Sequence, residues 1–327
     1  MFASLRLAPL RCLGAASIVG IAILSSAAPA QAYCRTVTEN LPASYNPVAR
    51  GCYTQGLFLY WKNACVSFSI NQNGSANVPY ATAQTIIDQA FARWTNATCA
   101  GSGAPPGIAA SDYGASACDQ VRYNKDTANQ NLIVFRDTTW PYSDPNNTLG
   151  LTTVTFDATT GEIFDADMEL NATGKNLSTT EQVPANGYDL ASVVTHEAGH
   201  FFGLAHAQLQ TATMYASYKP GTTALRTLSA DDVAGICEIY PSATTRIVSR
   251  PPSTSTDATI TTSLAADTCD YDPRHGFTTI CAPAASSSDG GCSTSPENVT
   301  ARPTVLVVAC AALGLVLLRR RRVRRTR

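Results

Sequence analysis

Three of the four histidines in this chain lie within eleven residues, in the segment HEAGHFFGLAH at positions 196–206. His196 and His200 are four residues apart, so on a helix both imidazoles project from one face and can reach a single metal ion. His206 supplies a third ligand if the chain turns back after His200. Gly203 stands where that turn is needed, because glycine adopts the left-handed conformation without strain. Three histidines and an open fourth position are a typical ligand set of catalytic zinc.

Glu197 directly follows the first of these histidines, where it would face a zinc-bound water as a general base. The segment therefore predicts a hydrolase site with one zinc ion. The simpler interpretation is a buried helix with incidental histidines, since two histidines four residues apart arise easily by chance. The additional Gly203 and His206 favour the zinc site.

The elements that must position these residues follow from capping residues and periodicity. Asp189 is placed to cap the helix that carries the two spaced histidines. A final helix starts at Ser229, whose partner Asp232 makes a near capping box, and Pro241 stops it. Strands are predicted at 66–70, 131–135, 151–156 and 163–171, with a helix that opens at Pro79. This order of strands and helices predicts an α+β domain.

The strand predicted at 163–171 has one acidic face. Asp165, Asp167 and Glu169 alternate there with apolar residues. Alternation of this kind predicts a half-buried strand whose acidic side faces solvent. The simpler interpretation is a solvated edge strand, and the functional alternative is calcium binding through the three carboxylates.

The N-terminus has the three parts of a secretory signal peptide over residues 1–32. Arg6 and Arg11 precede an apolar run at 12–24, and Ala30-Gln31-Ala32 provides small residues for cleavage after Ala32. The apolar run is too short for an uncleaved membrane anchor. The sequence therefore predicts an exported protein.

The C-terminus, residues 303–327, combines an apolar run at 305–318 with a cluster of arginines. As a helix this run is about 21 Å long, shorter than a hydrocarbon core of roughly 30 Å. The arginines would stay on the cytoplasmic side. A short apolar segment that is followed by a cluster of basic residues predicts a sorting signal. A plain single-pass membrane anchor is the alternative.

Charge and composition divide the rest of the chain. All 24 acidic residues, but only 14 of the 23 Lys and Arg, lie within 33–302, which gives this part a net charge of −10. An acidic body without a basic patch disfavours nucleic acid as a partner. We expect a Cys-containing lead-in at 33–56, one catalytic domain at 57–241 and a Ser/Thr/Pro-rich stalk at 242–302.

The eleven cysteines fit an oxidising compartment. Six lie in the folded body, at positions 34, 52, 65, 99, 118 and 237, which allows up to three disulfides in 15 pairings. Cys99 with Cys118 is a plausible local pair across a Gly/Pro-rich loop. In the tail, modification of Cys292 would leave Cys269 and Cys281 as a natural pair.

The extended pattern HExxHxxGxxH, followed eight residues after His206 by Met214-Tyr215, resembles the metzincin clan of zinc peptidases and most closely its matrixin branch. The segments 189–194 and 228–236 resemble the approach to the zinc helix and the closing helix of that branch. The resemblance covers about residues 57–241. It implies a metzincin-like catalytic domain with a mixed twisted sheet, an active-site helix and a C-terminal helix.

The same resemblance implies what the residues do. Met214 would form the methionine turn beneath the zinc, and Tyr215 would shape the pocket just past the scissile bond. The protein would be a zinc endopeptidase that binds an extended protein or peptide substrate along an edge strand. We expect it to act as a monomer.

Two departures from the family matter. Animal matrixins often hold a second zinc with upstream histidines, whereas the remaining histidine here is His275, in the predicted stalk. The cysteine motif of their pro-segment is not found. Cys34 or Cys52 could cap the zinc as a thiolate, but disulfide pairing is the favoured interpretation.

The tail also resembles a known signal. Gly291-Cys292 before a short apolar segment and an arginine cluster is similar to the MYXO-CTERM tail of bacterial surface proteins. It implies a bacterial protein, anchored at the cell surface or secreted, in which Cys292 carries the anchor or a processing site. Two other functions stay open, a surface adhesin without turnover and a zinc amidase acting on cell-wall peptides.

Overall fold

A computed structural model of the chain describes residues 32–42, 45–242, 245–250, 260–281 and 304–311. In chain order its elements are β1 (Cys34–Arg35), α1 (Pro47–Arg50), β2 (Cys65–Asn71), α2 (Tyr80–Thr95), β3 (Ala109–Ser116), β4 (Leu132–Arg136), β5 (Thr148–Phe156), β6 (Ile163–Asn171), β7 (Leu177–Ser178), β8 (Tyr188–Asp189), α3 (Leu190–Phe201), β9 (Leu204–Ala205), α4 (Ala230–Ile239), β10 (Thr245–Arg250), β11 (Ile260–Ala265) and β12 (Thr304–Ala311).

The main sheet has the order β12-β5-β6-β4-β2-β3 among the described strands. β2, β3, β4 and β6 run parallel, whereas β5 is antiparallel to β6. The long helices α2 and α3 bury their apolar faces in one hydrophobic core with this sheet. This mixed sheet with an active-site helix and a C-terminal helix confirms the α+β prediction.

α2 supports the helix that carries the two spaced histidines. Its buried residues follow the predicted 3.6-residue rhythm, and Phe91 stacks on Phe68 of β2 at 4.1 Å between ring centroids. The Trp94 indole N–H donates to the Thr195 carbonyl in α3 at 2.8 Å. Phe91 also meets Phe201 edge to face, so that aromatic contacts hold α3 in place.

Four disulfides join the described residues, Cys34–Cys52, Cys65–Cys269, Cys99–Cys237 and Cys118–Cys281. The prediction that Cys99 pairs with Cys118 is wrong, because β3 lies between them and Cys99 faces α4 instead. The suggested pair Cys269–Cys281 is wrong as well, since each of these cysteines is bonded to the body of the domain.

The part of the chain predicted to form a stalk contains ordered structure. β10 pairs antiparallel with β11, and the buried Arg246 donates to the carbonyls of Trp61 and Asn63 at 2.8 Å each. Ser67 donates to the Tyr271 carbonyl at 2.6 Å. Two disulfides and these contacts attach residues 245–250 and 260–281 to the rest of the described domain. For the other residues of 242–302 the stalk stays a prediction.

Residues 304–311, which contain the first part of the apolar run at 305–318, form strand β12. It pairs antiparallel with β5 from Thr304 opposite Phe156 to Ala311 opposite Thr148. None of the helices in the described part of the chain has the length and apolarity needed to span a lipid bilayer. The arginine cluster and Cys292 lie outside the described residues.

Candidate metal centre

The chain turns sharply at the end of α3. As predicted, Asp189 caps the start of the helix, where its carboxylate accepts from Ser192 N at 2.9 Å. At the other end Gly203 has φ +93°, and an added Cβ would lie 2.9 Å from the Leu59 carbonyl oxygen. Only glycine fits this conformation and this close approach. The turn returns the chain beside α3 and places His206 opposite the helix.

The three predicted histidines meet at one point. Their candidate ligand atoms lie within 4.8 Å of one another, and the Nε2 atoms of His196 and His200 are 3.1 Å apart. Tetrahedral zinc with bonds of about 2.0–2.1 Å places ligand nitrogens roughly 3.3 Å apart. The separation between His196 and His200 is close to this value, and His206 lies near enough to reach the same ion. It is the one group of three or more metal-ligating side chains found within the described ranges.

Hydrogen bonds to backbone carbonyls fix two of the imidazole rings. His196 Nδ1 lies 2.6 Å from the Thr213 carbonyl oxygen, and His200 Nδ1 lies 2.8 Å from that of Leu204. Because a carbonyl only accepts, each Nδ1 carries the proton and each Nε2 keeps its lone pair for a metal. His206 Nε2 is buried and has no protein partner, which leaves it free for the same ion.

Burial keeps all three imidazoles neutral. It lowers the pKa of His196 to about 4 and that of His206 to about 3. The pKa of His200 is also lowered, first by burial and then by the neighbouring imidazoles. Neutral imidazole is the form that ligates metal, so at neutral pH the histidines are ready to bind zinc.

Glu197 lies beside the histidine cluster and is fully buried. Its Oε2 accepts from the Thr152 hydroxyl of β5 at 2.8 Å, whereas Oε1 has no protein partner. Burial raises the pKa of this carboxyl to about 8, and the hydrogen bonds from Thr152 oppose the rise. One carboxylate oxygen is thus held by the protein and the other is left for a ligand.

The segment predicted to form the methionine turn packs against α3, and its role in the site stays a prediction. Met214 is buried, and an added Cβ on Gly199 of α3 would lie 2.2 Å from its sulfur. The Asp232 carboxylate accepts from the backbone N–H groups of Thr213 and Met214 at 2.7 and 3.0 Å. The Thr213 carbonyl also holds His196. Asp232, in the first turn of α4, is therefore connected through this segment to His196.

Tyr215 follows the methionine and is partly exposed, with its backbone N–H donating to the Ala212 carbonyl at 3.1 Å. Its role in a substrate pocket stays a prediction. Sequence reasoning missed Gly150, Thr152 and the Leu204 carbonyl as parts of the site. Gly150 and Thr152 look like ordinary strand residues, and only the packing of β5 against α3 reveals their contacts.

The acidic strand differs from the prediction. Asp165, Asp167 and Glu169 are all at most 2% exposed rather than solvated. Asp167 accepts from Leu132 N at 2.7 Å, and Glu169 is paired with Arg136 at 2.6 Å. The sheet face is covered, because the loops flanking β4 fold over it. Glu169 has its own cationic partner, and the three carboxylates are not among the groups close enough to share one ion within the described residues. Calcium binding through this strand stays a prediction.

The sequence of this domain matches a known protein family and several known proteins. The Matrixin family, peptidase family M10, matches residues 60–241. Metalloendoproteinase 1-MMP of Arabidopsis thaliana is 48% identical over 52 residues, 16% of this chain and 14% of the relative. Metalloendoproteinase 1 of Glycine max is 36% identical over 102 residues, 31% of each chain.

Matrilysin of Rattus norvegicus is 31% identical over 102 residues, which are 31% of this chain and 34% of the relative. The chain therefore aligns with about a third or less of the length of these relatives. The family match is broader, and its range contains His196, Glu197, His200, His206 and Met214. This chain belongs to the matrixin family.

Proposed function

We propose that this protein is a zinc-dependent endopeptidase that hydrolyses internal peptide bonds of protein substrates. The observation that supports it most strongly is the convergence of His196, His200 and His206 beside a buried carboxylate with one unpartnered oxygen. His196, His200 and His206 would hold a zinc ion, which when bound would supply a Lewis acid for the substrate carbonyl, lower the pKa of water at the site and favour the ionised form of Glu197.

Each of the chain's own residues then has a role in the proposed reaction. The Thr213 and Leu204 carbonyls hold the two helix imidazoles in the ligating tautomer. Glu197 takes a proton from the attacking water through Oε1 and returns it to the leaving amine. Met214 fills the space below the imidazoles and keeps that side of the site free of water.

The substrate is proposed to lie extended along the outer edge of β5. That edge is next to Glu197, since Thr152 of β5 contacts its carboxylate. In the structure the edge pairs antiparallel with residues 304–311. A substrate peptide that takes the same antiparallel place would run past the three histidines, with main-chain hydrogen bonds providing affinity. Tyr215 is the proposed contact just past the scissile bond.

We further propose that the enzyme works outside the cell. Four disulfides within the described residues are typical of an exported protein. The signal peptide predicted over residues 1–32, of which residues 1–31 lie outside the described part of the chain, supports the same proposal. Anchoring at a bacterial surface through Cys292 and the arginine-rich tail stays a prediction from the sequence.

The test is digestion of an unfolded protein by the purified, zinc-loaded chain, with the new termini identified by mass spectrometry. We expect cleavage at internal bonds, its loss on chelation and its return with added zinc. A non-catalytic adhesin would yield no new termini, and an amidase would cleave only cell-wall peptides. Either result would reject the endopeptidase.

A further inference from the structure

Strand β5 contacts the carboxylate of Glu197 through two residues on the same side of the strand. Gly150 and Thr152 are two positions apart, so both face α3. An added Cβ at Gly150 would lie 2.7 Å from Glu197 Oε1 and 2.8 Å from its Cγ. The missing side chain at Gly150 therefore makes the room that the carboxylate occupies.

Thr152 holds the other side of the same carboxylate. Its hydroxyl is 2.8 Å from Oε2 and 3.2 Å from the Glu197 carbonyl oxygen, and its side chain is fully buried. A hydroxyl has a single proton to donate, so the shorter contact to the carboxylate is the main hydrogen bond. A hydrogen bond to a charged acceptor is stronger than one to a neutral acceptor.

The two carboxylate oxygens of Glu197 have different surroundings. Oε2 is bound by Thr152, whereas Oε1 is buried without a protein partner. A glutamate has three rotatable bonds, so contacts of this kind decide where its carboxylate points. The Thr152 backbone also hydrogen-bonds the carboxylate, and the hydroxyl is the contact that a side-chain substitution removes. With Oε2 fixed from β5, the unpartnered Oε1 keeps one direction.

We propose that Thr152 is a positioning residue, which orients the general base Glu197 by binding Oε2 and thereby reserves Oε1 for the attacking water. The inference rests on the proposed endopeptidase function and adds a residue of β5 to that site. Gly150 assists by leaving space for Oε1. Partners that orient catalytic groups typically change activity by about 10–100-fold when removed.

The experiment uses two matched pairs of full-length, zinc-loaded enzymes that differ only in the hydroxyl group. Wild type is compared with Thr152→Val, and Thr152→Ser is compared with Thr152→Ala. We expect loss of the hydroxyl to lower kcat by about tenfold or more in each pair with little change in KM, as for a group that acts in the transition state. Thr152→Ser should stay within about threefold of wild type.

Thr85→Val is the matched control, because Thr85 is exposed on α2, away from β5, and its hydroxyl donates to the Ala81 carbonyl of the same helix. It should leave kcat unchanged. Zinc affinity and the Tm of the metal-free protein are measured for every variant. Zinc affinity should stay close to wild type at position 152, so that a lower kcat does not reflect loss of the metal. If Thr152→Val does not fold, the Ser/Ala pair alone decides the result.

A double variant tests whether Thr152 acts through Glu197. In a Glu197→Gln background, Thr152→Val should cause little further loss, because the base it orients is already removed. An equal loss in both backgrounds, or hydroxyl-free variants within twofold of wild type, would overturn the proposal. An inactive wild-type enzyme would instead refute the endopeptidase function itself.

Discussion

Replacing Asp232 with alanine tests how the C-terminal helix supports the metal site. The carboxylate of Asp232 is fully buried and accepts from Thr213 N and Met214 N at 2.7 and 3.0 Å. It also accepts from the Ser229 N–H and hydroxyl at 2.8 and 2.7 Å, which completes the capping box of α4. The substitution therefore removes the acceptor of four hydrogen bonds at once.

The size of the effect follows from these contacts. Two backbone N–H groups of the methionine turn lose their acceptor in a buried site, at a cost of about 1–3 kcal/mol each. Loss of the capping box adds about 1 kcal/mol. We expect the free energy of unfolding to fall by roughly 3–7 kcal/mol, a large part of the 5–15 kcal/mol of a typical domain.

Urea denaturation of the metal-free protein measures this loss, and competition with a chelator measures zinc affinity. Affinity should fall by about 10–100-fold, because the Thr213 carbonyl that orients His196 belongs to the loosened turn. Asp88→Ala, at an exposed carboxylate of α2, is the control and should stay within about 0.5 kcal/mol of wild type. A decrease in the free energy of unfolding below about 1 kcal/mol, together with unchanged zinc affinity, would refute the idea that Asp232 supports the metal site.

Three further predictions concern packing, pH and the C-terminal strand. Gly199→Ala should destabilise the protein by at least about 1–3 kcal/mol, since its Cβ would lie 2.2 Å from the Met214 sulfur; an unchanged Tm would contradict this packing. In the metal-free protein the pKa values of His196 and His206 are about 4 and 3, below the ordinary value of 6.5. Below pH 6.5 the unfolded chain therefore binds more protons at these two groups than the folded chain does, and the urea midpoint should fall as pH drops from 6.5 towards 3. Replacing either histidine by asparagine should weaken that fall. Removing residues 303–327 should raise kcat/KM for a peptide substrate, because β12 and the peptide compete for the same edge of β5; an equal value would contradict that competition.

The sequence was sufficient for the centre of the site because its signals are local. The spacing of His196 and His200 is set by the helix, and the turn to His206 depends on the conformation of Gly203. The cap at Asp189 and the box between Ser229 and Asp232 are also short-range contacts. The short stretch of chain between such residues allows few other arrangements of their side chains.

Other features depend on which segments meet in space. Asp165 and Asp167 have the alternation of an exposed strand face, but their burial depends on loops far along the chain. Disulfide partners such as Cys65 and Cys269 are 204 residues apart, and no local pattern predicts their pairing. Thr152 likewise gains its role only because β5 packs beside α3.

The most direct test of the central claim is the turnover of zinc-loaded Glu197→Gln, with the metal content measured in the same sample. Glutamine keeps the shape of the side chain but cannot take the proton from the water. We expect one zinc per chain, as in wild type, and kcat on an unfolded protein lowered by about 10²–10⁴-fold. Turnover close to wild type in a variant that holds its zinc would contradict the assignment of Glu197 as the general base.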